Sequence, residues 1–199
     1  MQSSKKERST KYELEWSLST GDTGELLLEY RVEAFEELYI ADRLWDYNDR
    51  KKRAPDPFGV YRFVHEGCLR LVFAQAPHPP EVMPHVLYTP LFSRIGEGET
   101  RRQEIAIKLP VNEYSALARN IKAPATDIEV TRAMLVLDHR LRSDMDADPA
   151  PPPLETAEDA GYIVWGSKPI ISSMDVFKIP VKRRTDPMAR FALPEDKPR

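Results

Sequence analysis

A strict alternation of apolar and polar residues is the feature that most limits how this chain can fold. Tyr12, Leu14, Trp16 and Leu18 alternate with glutamate and serine, and the pattern resumes in "ELLLEYRVEAF" after the turn signal "TGDTG". A period of two places the apolar side chains on one face of an extended strand. Two such segments joined by a glycine-containing turn predict a β-hairpin.

Similar segments recur along the chain. "GVYRFV" and "CLRLVFAQA" flank "HEG", which predicts a second hairpin with glycine at a turn position that needs a positive φ. "DIEVTRAMLVLDHRLR" predicts a long strand, and "GYIVWG" and "IISSMDVFKIP" predict two more. Residues 36–47 fit either a strand or a short helix. The segment 111–120, "VNEYSALARN", is the best candidate for a short helix.

Composition supports a β-rich globular protein. A chain of 199 residues is long enough to bury about 70% of the surface that it exposes when unfolded. Its 41% hydrophobic and 31% charged residues are ordinary for a globular domain. The 18 prolines favour strands and irregular connections, because proline is excluded from helix interiors. The pattern therefore predicts an all-β fold, an antiparallel β-sandwich with one short helix.

The domain organisation follows from where the alternation begins and ends. We expect a single sandwich domain over residues 10–181, with polar tails at 1–9 and 182–199. Residues 143–160 are acidic and rich in proline, which predicts a surface loop inside that domain.

The glycine-rich stretch Gly96-Glu97-Gly98 has two possible meanings. A glycine loop before an apolar run can bind phosphate when the run is a helix, because the helix N-terminus faces the anion. Here the next residues, "TRRQEIAIK", alternate as a strand does. Glu97 and Glu99 would also repel phosphate. The stretch is therefore interpreted as a turn between two strands.

These segments resemble immunoglobulin-like sandwich domains of uncharacterised bacterial proteins. The resemblance covers residues 12–111 and depends on "LLLEYRVEA", "LYIADRLWDY" and "LFSRIGEGETRRQEIAIKLPV". In that family a strand often closes with Val-x-Asn, and a turn similar to Pro-Gly-Glu precedes the last core strands. This chain departs from the pattern, because it has Ala34 where the asparagine would fall and Ile95 before the glycine. It also lacks the cysteine pair of antibody domains, because Cys68 is its single cysteine. The resemblance implies a fold and no particular function.

Net charge and targeting signals indicate which partners and which compartment to expect. The net charge of −3 provides no electrostatic attraction to nucleic acid or to anionic membranes, so we expect neither as a partner. The first residues contain no apolar stretch, and a single cysteine fits a reducing compartment. We therefore expect a cytoplasmic protein.

An enzyme remains the alternative interpretation. Its metal-dependent or hydrolytic site would combine distant carboxylates and histidines, with His65, His85 and His139 the first candidates. No histidine pair has a metal-ligand spacing, and the calcium-loop pattern at 144–155 has Pro149 where glycine is required. Cys68 lies in an alternating strand, where cysteine is typically a small buried residue. We accordingly predict no catalytic residue, metal site or cofactor.

The favoured interpretation is a noncatalytic module that binds a protein partner. A partner would dock on a sheet edge or on the loop over residues 45–58, where aromatic and basic residues are mixed as in many interfaces. We also consider self-association through edge strands near Pro84 and Pro90. The candidate binding residues are Trp45, Tyr47, Arg50, Lys51, Lys52, Arg53 and Phe58.

Overall fold

The computed structural model describes residues 1–47, 53–55, 59–75, 90–114, 124–145, 153–155, 160–164 and 166–184. The strands in these ranges are β1 (Gln2–Arg8), β2 (Tyr12–Thr20), β3 (Glu25–Ala34), β4 (Leu38–Arg43), β5 (Trp45–Tyr47), β6 (Arg53–Pro55), β7 (Tyr61–His65), β8 (Cys68–Phe73), β9 (Leu91–Ile95), β10 (Thr100–Lys108), β11 (Val111–Asn112), β12 (Ala125–Leu141), β13 (Pro153–Glu155), β14 (Ala160–Tyr162) and β15 (Lys168–Arg184). A short 3-10 helix, Arg142–Met145, follows β12. The all-β prediction is confirmed.

The first sheet is an antiparallel arrangement in the order β1-β2-β3-β10. The predicted hairpin of β2 and β3 forms its centre, and alternate residues are buried from Leu14 to Leu18 and from Leu26 to Ala34. The outer face carries charged and polar side chains, including Glu15, Arg31, Arg102 and Glu104. Its composition is that of a solvent-facing surface.

The second sheet runs in the order β11-β15-β12-β4-β9-β14-β13, and the β7–β8 hairpin joins it through β12. The long strand β12 confirms the sequence prediction. The purely antiparallel prediction is wrong in part, because β8 runs parallel to β12 and β11 parallel to β15. Strand β9, which follows Pro90, lies between β4 and β14 and is not the edge that we expected.

The main core lies between the two sheets. Leu14, Leu28 and Trp16 of the first sheet pack in one buried cluster with Phe92 and Leu135 of the second. A polar contact crosses the same layer, because the Trp16 Nε1–H donates to Ser172 Oγ at 2.8 Å and that hydroxyl donates to Glu7 Oε1 at 2.7 Å. The N-terminal strand is thereby tied to β15.

The turns agree with the sequence prediction. Between β7 and β8, Glu66 and Gly67 both have positive φ, 50° and 73°, which is the type I′ geometry of a two-residue hairpin. Gly96-Glu97-Gly98 connects β9 to β10 and so carries the chain from one sheet to the other. The Glu99 carboxylate accepts the Gly96 N–H at 2.8 Å. This confirms a turn that leads into a strand.

Other boundaries were predicted wrongly. Residues 2–8, expected in a polar tail, form β1 because backbone pairing with β2 needs no apolar side chain. β15 continues to Arg184, beyond the start of the predicted C-terminal tail. Within the predicted loop at 143–160, β13 and β14 form a short antiparallel pair. The helix predicted from residue 111 begins instead as β11, and residues 115–120 lie outside the described ranges.

Glu113 connects two strands of the second sheet. Its Oε1 accepts the Val64 N–H and its Oε2 accepts the Arg184 N–H, each at 2.6 Å. Next to it, the Tyr114 backbone pairs with Arg62 of β7. Glu113 is only 8% exposed. Burial raises the pKa of its carboxyl group, and the two backbone N–H groups oppose that shift in part.

We predict a specific pH dependence for Glu113→Gln. A raised pKa in the folded state gives stability that is present below the ordinary glutamate pKa and is lost as the pH rises through the folded pKa. The wild type should therefore lose unfolding free energy relative to the variant between about pH 4 and neutral pH. Urea denaturation of both proteins across this range checks the slope. A wild type that gains unfolding free energy relative to the variant as the pH rises would contradict the prediction.

Candidate functional site

The candidate site is a two-stranded antiparallel ribbon formed by β5 and β6. Backbone pairing sets Trp45 opposite Pro55, Asp46 opposite Ala54, and Tyr47 opposite Arg53. Opposed residues of an antiparallel pair share a face, and residues two apart along a strand do so too. Trp45, Tyr47, Arg53 and Pro55 are therefore on one face of the ribbon, which we call the aromatic face. Asp46 and Ala54 are on the other.

The ribbon accounts for three of the residues predicted from sequence. Trp45, Tyr47 and Arg53 lie in its strands and on the same face. The remaining predicted residues, Arg50, Lys51, Lys52 and Phe58, lie outside the residues that the structure describes. The alternative of a helix over residues 36–47 is wrong, because this segment forms β4 and β5.

Leu44 anchors the start of the ribbon. It is the residue before Trp45 in the sequence, and it is buried in a second apolar cluster on the opposite side of β7, β8 and β12 from the main core. The ribbon therefore emerges from a packed base. The buried members of this second cluster are Leu44, Tyr61, Phe63, Val72, Ala74, Tyr114 and Val136.

A buried charge network forms the rest of the base. Asp42 is fully buried and accepts hydrogen bonds from Arg43 Nε at 3.1 Å, Ser93 Oγ at 2.8 Å and Arg101 Nε at 2.6 Å. Arg43 also donates to Ser93 Oγ at 3.0 Å. Since Arg101 belongs to β10 and the other three belong to β4 and β9, the network joins the two sheets, and Asp42 lies three residues before the ribbon in the sequence.

A β-bulge explains why an aspartate points into the core. The register of β4 against β9 shifts between Ala41 and Arg43, which leaves Asp42 as the extra residue. A bulge redirects a side chain and increases the local twist. All five residues from Leu38 to Asp42 are buried, so β4 loses the alternation of a half-buried strand here.

Tyr30 adds an unsatisfied donor beside this network. Its hydroxyl is buried and has no hydrogen-bond partner among the described residues. Burial and the nearby Asp42 carboxylate raise the pKa of Tyr30 well above its ordinary value, so the phenol keeps its proton. A buried donor without an acceptor costs about 1–3 kcal/mol, which makes this part of the core unusual.

Only one weak signal of this network is present in the sequence. An aspartate at the end of the apolar run "LYIAD" is the single signal, because a charge that close to a buried strand needs partners. Ser93 and Arg101 lie about fifty and sixty residues farther along the chain. Nothing in their local sequence links them to Asp42.

The two described histidines of the enzyme alternative, His65 and His139, are not brought together. Pairing of β7 with β8, and of β8 with β12, places His65 level with Arg132, seven residues before His139. At about 3.3 Å per residue, this separates the two histidines by about 23 Å along the sheet. His85 lies outside the described residues. Within the described ranges, no group of three or more His, Cys, Asp or Glu side chains can hold a metal ion.

His139 and Cys68 have packing roles. His139 contacts the Tyr12 ring edge to face, its Nδ1 lies 2.7 Å from Lys168 O, and burial lowers its pKa. The Cys68 thiol is buried, and that burial raises its pKa. A nucleophilic cysteine needs the opposite shift, because the thiolate is the reactive form.

Comparisons with known proteins give no relative: no family model, curated protein or solved structure matches this chain. In the part of the chain that the structure describes, no helix has the length and apolar character that crossing a membrane requires.

Proposed function

We propose that this protein is a noncatalytic module that binds a protein partner through the aromatic face of the β5–β6 ribbon. The observation that carries the proposal is the strand register, which puts Trp45, Tyr47 and Arg53 on one face. Tryptophan, tyrosine and arginine are the residues most enriched among those that dominate binding energy in protein interfaces.

The base of the ribbon supports the same proposal. A recognition element binds more tightly when it is held in its bound conformation beforehand, because less conformational entropy is lost on binding. Leu44 in the second cluster and the hydrogen-bonded Asp42 just before it hold the first strand of the ribbon. The outer face of the first sheet offers no comparable anchor, because charged side chains dominate it.

The expected fold relation is also a proposal. We propose that the two packed sheets follow the general plan of immunoglobulin-like domains, with the parallel pairings of β8 and β11 as additions. The packing of both sheets around one core supports it. In this setting the ribbon is an insertion between β4 and β7 that carries binding.

We predict that Trp45→Ala and Tyr47→Ala each weaken partner binding at least tenfold, since loss of a residue that dominates the binding energy of an interface costs about 2 kcal/mol or more. Asp46→Ala is the matched control, because it changes a neighbouring residue on the opposite face. Calorimetric titration with a partner captured by crosslinking from position 47 checks this. Equal weakening by all three substitutions would contradict recognition by the aromatic face.

A further inference from the structure

The Arg101 guanidinium is hydrogen-bonded through its Nε, and part of the side chain is exposed to solvent. Its Nε donates to the buried Asp42 Oδ2 at 2.6 Å, while 38% of its side chain is exposed. Its two terminal amino groups make no hydrogen bond to any described residue. Because the guanidinium is planar and rigid, fixing the Nε edge also fixes the direction of these remaining donors.

Both carboxylate oxygens of Asp42 already accept hydrogen bonds without the terminal amino groups of Arg101. Its Oδ1 already accepts from Arg43, and its Oδ2 accepts from both Ser93 and the Arg101 Nε. The carboxylate is thus satisfied through one edge of Arg101, and the other edge is available for a second acid. Two parallel N–H donors on one guanidinium match the geometry of a carboxylate.

The position of Arg101 suits a partner bound to the ribbon. Asp42 precedes Trp45 by three residues, which is about 10 Å of extended chain. Strand β10, which carries Arg101, is the last strand of the first sheet, and no described strand pairs with its outer edge. Because Arg101 is hydrogen-bonded to Asp42, its guanidinium lies near the start of the ribbon.

Tyr30 is a second group near this network whose hydrogen-bond donor has no acceptor in the part of the chain that the structure describes. Its hydroxyl lies in the interior of the same inter-sheet region, and it has no acceptor within the described residues. A buried donor without an acceptor is rare in native structures and calls for an explanation.

We propose that Arg101 is the anchor for an aspartate or glutamate side chain of the protein partner. This inference rests on the proposed function, and it names the chemistry of that partner: an acidic residue next to the surface that covers Trp45 and Tyr47. Arg101 would bind the carboxylate through its two terminal amino groups, with Asp42 as the positioning residue.

A peptide titration followed by nuclear magnetic resonance of the arginine Nε–Hε groups tests this on the full chain. The probe is a triglutamate peptide with blocked ends, added at constant ionic strength, and the control probe is blocked triglutamine. We expect triglutamate alone to shift the Arg101 signal in a saturable manner. Arg101→Lys keeps the positive charge but removes the two parallel N–H donors of the guanidinium. This variant should weaken that binding at least tenfold. Arg102→Lys, on the opposite face of β10, should leave it unchanged.

The result that overturns the proposal is an Arg101 signal that does not move, or one that moves equally with triglutamine. Equal weakening by the two lysine variants would overturn it as well. The wild-type titration decides the matter even if Arg101→Lys is poorly folded. Because the probe replaces the partner, failure here removes only the carboxylate assignment, whereas failure of the proposed function appears in the Trp45 and Tyr47 variants.

Discussion

Replacing Asp42 with alanine is expected to lower the free energy of unfolding by about 3–5 kcal/mol, the usual cost of removing one partner from a buried ion pair. Asp42 is fully buried and accepts three hydrogen bonds. Without it, Arg43 keeps its charge in a site where only 19% of its side chain reaches solvent. The Ser93 hydroxyl loses its acceptor in the same variant.

Chemical denaturation measures this loss, with Glu104→Ala as the control. Glu104 is an exposed acid on the outer face of the first sheet, where a substitution typically changes stability by less than about 0.5 kcal/mol. If the two variants lost equal stability, the network would not be the structural base that we describe. Asp42→Asn keeps the side-chain shape, so its loss relative to alanine separates the contribution of charge from that of hydrogen bonding.

Trp16→Ala is expected to cost about 3–5 kcal/mol of unfolding free energy, as other large-to-small changes of buried aromatic residues do. Trp16 is 1% exposed and packs in the main core between the sheets. The substitution leaves a cavity there and also removes the donor to Ser172. The hydroxyl of Ser172 can still donate to Glu7.

Trp16→Phe separates the two contributions. It keeps an aromatic ring in the core but removes the indole N–H, whose hydrogen bond is worth about 1 kcal/mol. We therefore expect a clearly smaller loss than for alanine, measured by the same denaturation experiment. Equal losses in the two variants would show that the contact with Ser172, rather than apolar burial, makes Trp16 important.

Much of the fold could be predicted because alternation reports directly on a strand with one buried face. The hairpins β2–β3 and β7–β8 and the long strand β12 carry that signal and are confirmed. Strand β1 carries none, since its sequence "QSSKKER" is polar on both faces. Backbone pairing between distant segments leaves no local pattern, so the parallel pairs were also missed.

The candidate site could likewise be predicted from the sequence only in part. The mixture of aromatic and basic residues at 45–58 is a property of composition and could be read from the sequence. That Trp45, Tyr47 and Arg53 share a face depends on the register of a short ribbon. The Asp42 network depends on a bulge and on a side chain from the other sheet. Both are consequences of tertiary structure.

The central claim, that the aromatic face of the ribbon recognises a protein, is tested most directly by site-specific photocrosslinking in the source cells. A crosslinking phenylalanine derivative, which keeps an aromatic ring at position 47, should capture one protein as a discrete product. The same group at position 46, on the other face of the ribbon, or at position 104, on the first sheet, should not capture it. Capture of the same protein from all three positions, or no discrete product from position 47, would contradict the claim.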